Sequence, residues 1–252
     1  MVNAIVLAGS SKTGELEEQQ GVNNKAFILI NNEPMISIIL KTLQRVEGLD
    51  KIVVVGPVDE LKGLQDQNNR FEIVEQQDTF LKNITIGLQS VDIDTPCIVL
   101  SADIPMITKE AIEGFIAMCS PEYDFYYPII NRELCEKSFP EVKRTYFRLK
   151  EGSFTGGNIL MITPSCILDK IDDINVYLSY RKSLWKLVQT LPLSLIIKFI
   201  TRRLPIQDLE TYVKGLFEIK AKTVISPYVE IGVDIDKPSD LVLARKVLSS
   251  KD

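Results

Sequence analysis

Asn3–Leu7, Lys51–Gly56 and Cys97–Leu100 are short, almost unbroken apolar runs, each stopped by small or polar residues. Runs of this length, without polar alternation, predict strands buried on both faces. Between them, Ile36–Leu43 and Thr79–Leu88 carry apolar side chains at helical spacing, with Phe80, Ile84 and Leu88 on one face of the second. Phe71–Val74 reads as a further short strand. Strands alternating with helices in this way predict an α/β fold, with a mostly parallel sheet covered by helices on both sides. The polar stretch Glu15–Asn24 reads as a flexible connection.

Beyond Cys119 the pattern changes. Asp124–Ile130 and Thr145–Leu149 read as strands without a helix between them, which predicts an antiparallel or mixed extension of the sheet. Gly156 and Gly157 then feed Asn158 into the apolar strand Ile159–Ile162. Paired glycines there mark either a hairpin bulge or a close approach by backbone or ligand. Pro192 interrupts the apolar pattern between Tyr177 and Arg203, so a helix pair is expected rather than one long helix. Ile206–Phe217 continues as helix. The chain is therefore read as a single domain, residues 1–252, with a helical subdomain at about 165–217. Pro238 and Ser239 open a last helix.

Composition narrows the chemistry more than the fold. The hydrophobic fraction of 45% and the charged fraction of 25% are ordinary for a globular protein. The net charge of −5 argues against nucleic acid as a partner. Histidine is absent, which excludes Ser-His-Asp triads, histidine-liganded zinc and any imidazole base. The cysteines Cys97, Cys119, Cys135 and Cys166 form no C-x-x-C and are read as free thiols. Met1–Ala4 leads straight into the first strand, and no uncharged apolar run is long enough for a membrane span, so a cytoplasmic location is expected. Tyr177–Arg203 contains Arg181, Lys182, Lys186, Lys198, Arg202 and Arg203, together with Trp185, and no acidic residue. This segment is read as a helical face packed on the sheet, as a rim that attracts phosphate, or as a weak peripheral contact with anionic membrane.

The candidate site is built from four stretches. After the first strand, Ala8, Gly9 and Ser10 are small enough for backbone N–H groups to approach phosphate, and Lys25 lies downstream. Asp103 follows the strand Cys97–Leu100, where open α/β sheets bind their ligands; Thr108 is the expected cap of the next helix. Near the C-terminus, Asp234 and Asp236 alternate on an extended segment, so that both carboxylates can face one side. Gly157 and Asn158 supply the fourth stretch.

Together, Ala4-Ile5-Val6-Leu7-Ala8-Gly9 with Lys25, Ser101-Ala102-Asp103-Ile104-Pro105, Phe154-Thr155-Gly156-Gly157-Asn158, and Gly232-Val233-Asp234-Ile235-Asp236-Lys237-Pro238-Ser239-Asp240-Leu241 resemble the MobA-like nucleotidyltransferases. The resemblance implies a Rossmann-like sheet of the GT-A kind. It also implies transfer of NMP from an NTP to a phosphorylated small-molecule acceptor, with release of pyrophosphate. In that reading Asp103, Asp236 and Asp234 hold Mg2+, and Lys25 and Asp103 are catalytic. Leu7, Ala8, Gly9, Ser10, Lys25, Asn83 and Gly87 contact the nucleotide, while Gly157 and Asn158 contact the acceptor. The chain departs from the family loop L-A-G-G-x-x-x-R-M-G-x-x-K in having Ser10 and no arginine; Lys12 is the nearby cation. Two other readings use the same residues. One is a non-catalytic nucleotide- or sugar-nucleotide-binding member. The other is a GT-A glycosyltransferase, whose D-x-D usually follows the middle strand rather than lying near the C-terminus, as Asp234-Ile235-Asp236 does.

Overall fold

The computed structural model describes residues 1–9, 14–65, 71–180 and 191–249. Among these residues the main sheet has nine strands. Four form the parallel half, in the order β5 (Glu72–Glu75), β4 (Leu49–Gly56), β1 (Val2–Leu7), β6 (Cys97–Ser101). Beyond β6 the sheet is mixed, as expected. β10 (Ile159–Ile162) runs antiparallel to both β6 and β7 (Phe125–Asn131). β11 (Ala221–Ser226) pairs in parallel with β7, and β9 (Gly152–Gly156) joins β7 to the edge strand β8 (Phe147–Leu149). A separate two-stranded ribbon joins β2 (Leu29–Ile30) to β3 (Glu33–Pro34).

Alternate residues of the buried strands enter opposite cores, which makes the fold three-layered. Ala4 and Val6 of β1, with Ile98 and Leu100 of β6, pack against α2 (Met35–Leu43) and α5 (Lys109–Ala117). Ile5, Cys97 and Val99 face the other way, against Ile84 and Leu88 of α4 (Phe80–Gln89) and Ile167 of α7 (Pro164–Leu168). The expected N-cap is made: Thr108 accepts from the Ala111 amide. Thr79 caps α4 in the same way, accepting from the Lys82 amide.

Two expectations about connections are corrected. Glu15–Gln20 is a helix, α1, rather than an irregular link. Leu16 is buried, and Gly21 closes the helix with φ 70°, a left-handed conformation that glycine adopts without strain. A helix, α6 (Arg132–Ser138), also separates β7 from β8. Asn131 caps it by accepting from the Glu133 amide, and Arg132 pairs with Glu136 one turn on. In both places a short helix relies on one cap and one buried apolar residue, too little to stand out as periodicity. A third short helix, α3 (Val58–Lys62), follows β4.

The helices expected near residues 170–217 are α8 (Ile171–Tyr180), α9 (Leu193–Ile200) and α10 (Ile206–Phe217). Pro192 stands immediately before α9, as its fixed geometry favours. Leu195 of α9 is buried, whereas Leu193, Ile197 and Ile200 are exposed. Lys198 is paired with Asp208 at 2.6 Å, so this charge of the basic segment is already met within the chain. Arg181, Lys182, Trp185 and Lys186 lie outside the described residues. The last helix is α11 (Pro238–Ser249). The four cysteines are free, and among the described residues no helix is long and apolar enough to cross a membrane.

Candidate active site

β1 and β6 lie side by side with Leu7 opposite Ser101, so their carboxyl ends open at the same place. The chain leaving β6 is held to β1 by the Ala102 amide donating to the Leu7 carbonyl at 3.1 Å. Ile104, Met106 and Ile107 are buried beyond it, which anchors the turn and leaves Asp103 at the sheet's end. Ser101 Oγ donates to Asp103 Oδ1 at 2.5 Å, orienting the carboxylate.

The C-terminal stretch is brought to this point by backbone pairing. The Ile235 amide donates to the Asp103 carbonyl at 2.9 Å, and the Asn158 amide to the Ile231 carbonyl at 2.8 Å. Asp234 and Asp236 lie on irregular chain between a 3-10 turn, Val229–Gly232, and α11, rather than at a strand end. Asp240, in the first turn of α11, accepts from the Asp236 and Lys237 amides at 3.1 and 2.9 Å and fixes the end of the segment. Oxygens of Asp103, Asp234 and Asp236 consequently all lie within 4.8 Å of one another.

Lys25 reaches into this cluster from the short 3-10 turn Lys25–Phe27. Its Nζ donates to Asp103 Oδ2 at 2.9 Å and also to Asp236 Oδ1. Its neighbour Asn24 sets the position: Asn24 Nδ2 donates to the Ala8 carbonyl at 2.7 Å, while Oδ1 accepts from the Ala26 amide at 2.9 Å. One buried amide side chain therefore joins the loop after β1 to the lysine. On the opposite flank, Arg144 Nη2 donates to Asp234 Oδ1 at 2.9 Å, and Asn158 Nδ2 lies 3.4 Å from the same oxygen. Arg144 Nε is buried with no hydrogen-bond partner among the described residues. Leaving such a group unmatched costs about 1–3 kcal/mol.

The electrostatics follow from this arrangement. Burial raises the Asp234 carboxyl to about 6, and the Asp236 charge adds to the rise while Arg144 opposes it. Burial also acts to raise Asp236, but the Lys25 hydrogen bond and charge hold it below the ordinary carboxylate range. For Lys25, burial acts to lower the ammonium, and Asp103 with Asp236 holds it above its ordinary value. Three carboxylates outnumber the two cations paired with them, so the cluster retains room for positive charge. An all-oxygen ligand set of this kind suits a hard divalent cation.

A cavity of about 350 Å³ opens beside the cluster, lined by Leu7, Ala8, Gly9, Asn24, Lys25, Asn83 and Asp103 among others. Gly9 is close-packed: a Cβ there would meet Asn83 Nδ2 at 2.6 Å. Asn83 Oδ1 accepts from the Gln77 amide, so Asn83 braces Gln77 beside the loop. Ser10 and Lys12 lie outside the described residues. Gly87 does not line this cavity. A Cβ there would stand 2.7 Å from Ile5 Cγ2 and 3.2 Å from Val55 Cγ2, so it packs between α4 and the sheet. Gly157 is hemmed in by Ile231 and Pro128 at a bulge between β9 and β10, and its neighbour Asn158 is the residue that reaches the cluster.

Sequence reasoning passed over Asn24 and Arg144, and it included Asp240 in the C-terminal stretch without giving it a role. Asn24 had a usable signal in standing directly before Lys25. Asp240 occupies an ordinary helix-start position, and Arg144 lies in an irregular loop where nothing local marks it.

The model of the family described as the MobA-like NTP transferase domain matches residues 4–203. A hypothetical transferase from Thermus thermophilus is 30% identical, with a TM-score of 0.84 over 95% of this chain and 99% of its own. The 4-diphosphocytidyl-2C-methyl-D-erythritol synthase of Anaerococcus prevotii has a TM-score of 0.60 at 14% identity, over 99% of this chain and 96% of its own. CMP:2-keto-3-deoxy-manno-octonic acid synthetase, in complex with CTP, has a TM-score of 0.59 at 15% identity, over 100% of this chain and 99% of its own. At those identities the last two show a shared fold. No curated protein matches the chain. The chain belongs to the MobA-like NTP transferase domain family.

Proposed function

We propose that the chain is a magnesium-dependent nucleotidyltransferase that moves NMP from an NTP to a phosphorylated small-molecule acceptor and releases pyrophosphate. The observation that carries this reading is the convergence of Asp103, Asp234 and Asp236 around Lys25, at the edge of the cavity formed by the loop after β1.

The reaction asks little of a protein base, because a phosphorylated acceptor brings its own anionic nucleophile. An acceptor phosphate oxygen forms a bond to the α-phosphorus of the NTP as the bond from that phosphorus to the bridging oxygen of the β-phosphate breaks. Pyrophosphate carries away the electron pair. Positioning and charge neutralisation are then the main contributions of the site, which agrees with a chain that has no histidine. Mg2+, held by Asp103 and Asp236 with Asp234, supplies neutralising charge to the phosphates when bound.

The chain's own groups do the rest. Lys25 exchanges its carboxylate partners for triphosphate oxygens. Leu7, Ala8, Gly9 and Ser10 bring backbone close to the nucleotide, and a side chain at Gly9 would push into Asn83. Asn83 shapes this wall through Gln77, while Asn158, seated by Gly157, faces the acceptor.

Calorimetry with each of the four common NTPs and MgCl2 tests the reading first. Binding of at least one, followed by pyrophosphate release with a phosphorylated sugar or alcohol, is the expected result. Failure of all four to bind would overturn it.

A further inference from the structure

α9 is fixed to the outer half of the sheet through Leu195. This side chain and Leu204, just beyond the helix, are buried with Ile129 of β7, Leu149 of β8 and Phe154 of β9. Much of the helix's apolar surface is left uncovered: Leu193 is 70% exposed and Ile200 73%, with Ile197 and Phe199 exposed as well. Leu193, Ile197 and Ile200 stand at i, i+4 and i+7, which puts them on one face. Single exposed apolar side chains are ordinary on a protein surface, but three sharing one face of an eight-residue helix form a patch. A helix that merely covers a sheet turns polar residues to water, whereas here leucine and isoleucine face it.

The charge beside the patch has one sign. From Pro192 to Arg203 the chain has Lys198, Arg202 and Arg203 and no acidic residue. Lys198 is met by Asp208 at 2.6 Å, while Arg202 and Arg203 are exposed. The turn that carries them is tight: the Arg202 amide donates to the Phe199 carbonyl at 3.0 Å, and the Arg203 amide to that of Lys198 at 2.7 Å. Arg202 takes φ 60°, a left-handed conformation that glycine adopts freely and arginine does not. The chain thus sets a cation where its backbone favours glycine, directly after the exposed face.

An apolar helix face bordered by cations has the two features of a helix lying in the headgroup region of an anionic bilayer: side chains for the acyl boundary and charge for the lipid phosphates. The chain as a whole carries −5, so an anionic surface repels most of it and attracts this patch, which orients the approach. A second copy of the chain would cover the leucine and isoleucines but bring the same cations, with no acid in the patch to meet them. α9 does not line the cavity beside the carboxylate cluster, so the face is separate from the active-site wall.

We propose that α9, with Arg202 and Arg203, is a docking surface for an anionic lipid bilayer. The helix lies in the interface without crossing it, being only eight residues long. The inference does not rest on the nucleotidyl-transfer reading.

The test is co-sedimentation of the intact protein with vesicles of phosphatidylcholine alone and of phosphatidylcholine mixed with phosphatidylglycerol. EDTA is present throughout, so that no divalent cation bridges carboxylates to lipid phosphate. The wild type is expected to bind the mixed vesicles at low salt, to bind the neutral ones about tenfold more weakly, and to be released as salt rises. Ile197→Gln with Ile200→Gln and, separately, Arg202→Asn with Arg203→Gln are each expected to weaken binding to the mixed vesicles about tenfold. All four side chains are exposed, and asparagine tolerates the left-handed position, so melting temperatures should stay at the wild-type value. Leu193→Gln, at the other end of the helix, repeats the apolar test should the isoleucine pair melt lower. No binding to the mixed vesicles at low salt overturns the proposal, as does binding that both pairs of substitutions leave unchanged. Sedimentation velocity without lipid is run alongside. A dimer that Ile197→Gln with Ile200→Gln dissociates gives the face to a second copy and also overturns the proposal.

Discussion

Lys25 Nζ donates to Asp103 Oδ2 at 2.9 Å, across 78 positions of sequence. With Asp236 on the same ammonium, the lysine fills the space between carboxylates where an external cation would sit. In this arrangement the side chain assigned to the triphosphate first serves as an internal counter-ion. In the proposed reaction, cation and nucleotide would arrive together, so that the lysine changes partners without leaving bare carboxylates.

Lys25→Met should expose that exchange. The metal-free variant is expected to lose about 1–2 kcal/mol of stability, between the limits for surface and buried ion pairs. The 62% exposure of Asp236 draws the figure toward the lower limit. The rise in melting temperature on adding MgCl2 should exceed that of the wild type, because no internal cation competes. An equal rise in both proteins would count against the competition.

The raised Asp234 carboxyl predicts a pH dependence with a definite sign. Its folded value of about 6 lies above the ordinary 3.8, so the folded chain binds this proton more tightly than the unfolded chain. The resulting stabilisation of the metal-free protein is full below about pH 4 and is lost as pH rises through about 6. Asp236 is shifted in the opposite direction, and its contribution disappears only on acidification below the ordinary carboxylate range. A divalent cation needs Asp234 ionised, so its stabilising effect should grow between pH 5 and pH 7. Melting temperatures in EDTA and in MgCl2 across that window check both signs, and a cation effect independent of pH would contradict the assignment.

Gly87 separates packing from binding. Gly87→Ala places a methyl group against Ile5 and Val55 and should cost about 1–3 kcal/mol in urea unfolding, as overpacking does. NTP affinity of the folded variant should be unchanged. A selective loss of NTP affinity at normal stability would return Gly87 to the nucleotide site.

The sequence conveyed the strands and the long helices because β1, β4 and β6 are buried on both faces and leave unbroken apolar runs. It also marked Asp103, Lys25, Asp234 and Asp236, since each belongs to a recognisable local stretch at a strand or helix end. What it hid depends on partners distant in sequence. Arg144 gains meaning only from Asp234, 90 positions away, and Asn24 from the Ala8 carbonyl. Gly87 was drawn to the nucleotide by its place in a motif, whereas its small size is required by Ile5 and Val55. The helices α1 and α6 were missed because a cap and one buried apolar side chain can hold a short helix without periodicity.

The central claim is that Asp103, with Asp236 and Asp234, forms the metal-binding heart of a nucleotidyltransferase. Its most direct test is the rate of pyrophosphate release by wild type and Asp103→Asn, measured with the NTP that binds, MgCl2 and a phosphorylated acceptor. The account predicts Mg2+-dependent release by the wild type and a loss of about 10²-fold or more in the variant, the scale of removing one preorganised electrostatic group, with the melting temperature showing the variant still folded. Undiminished release by folded Asp103→Asn would contradict it.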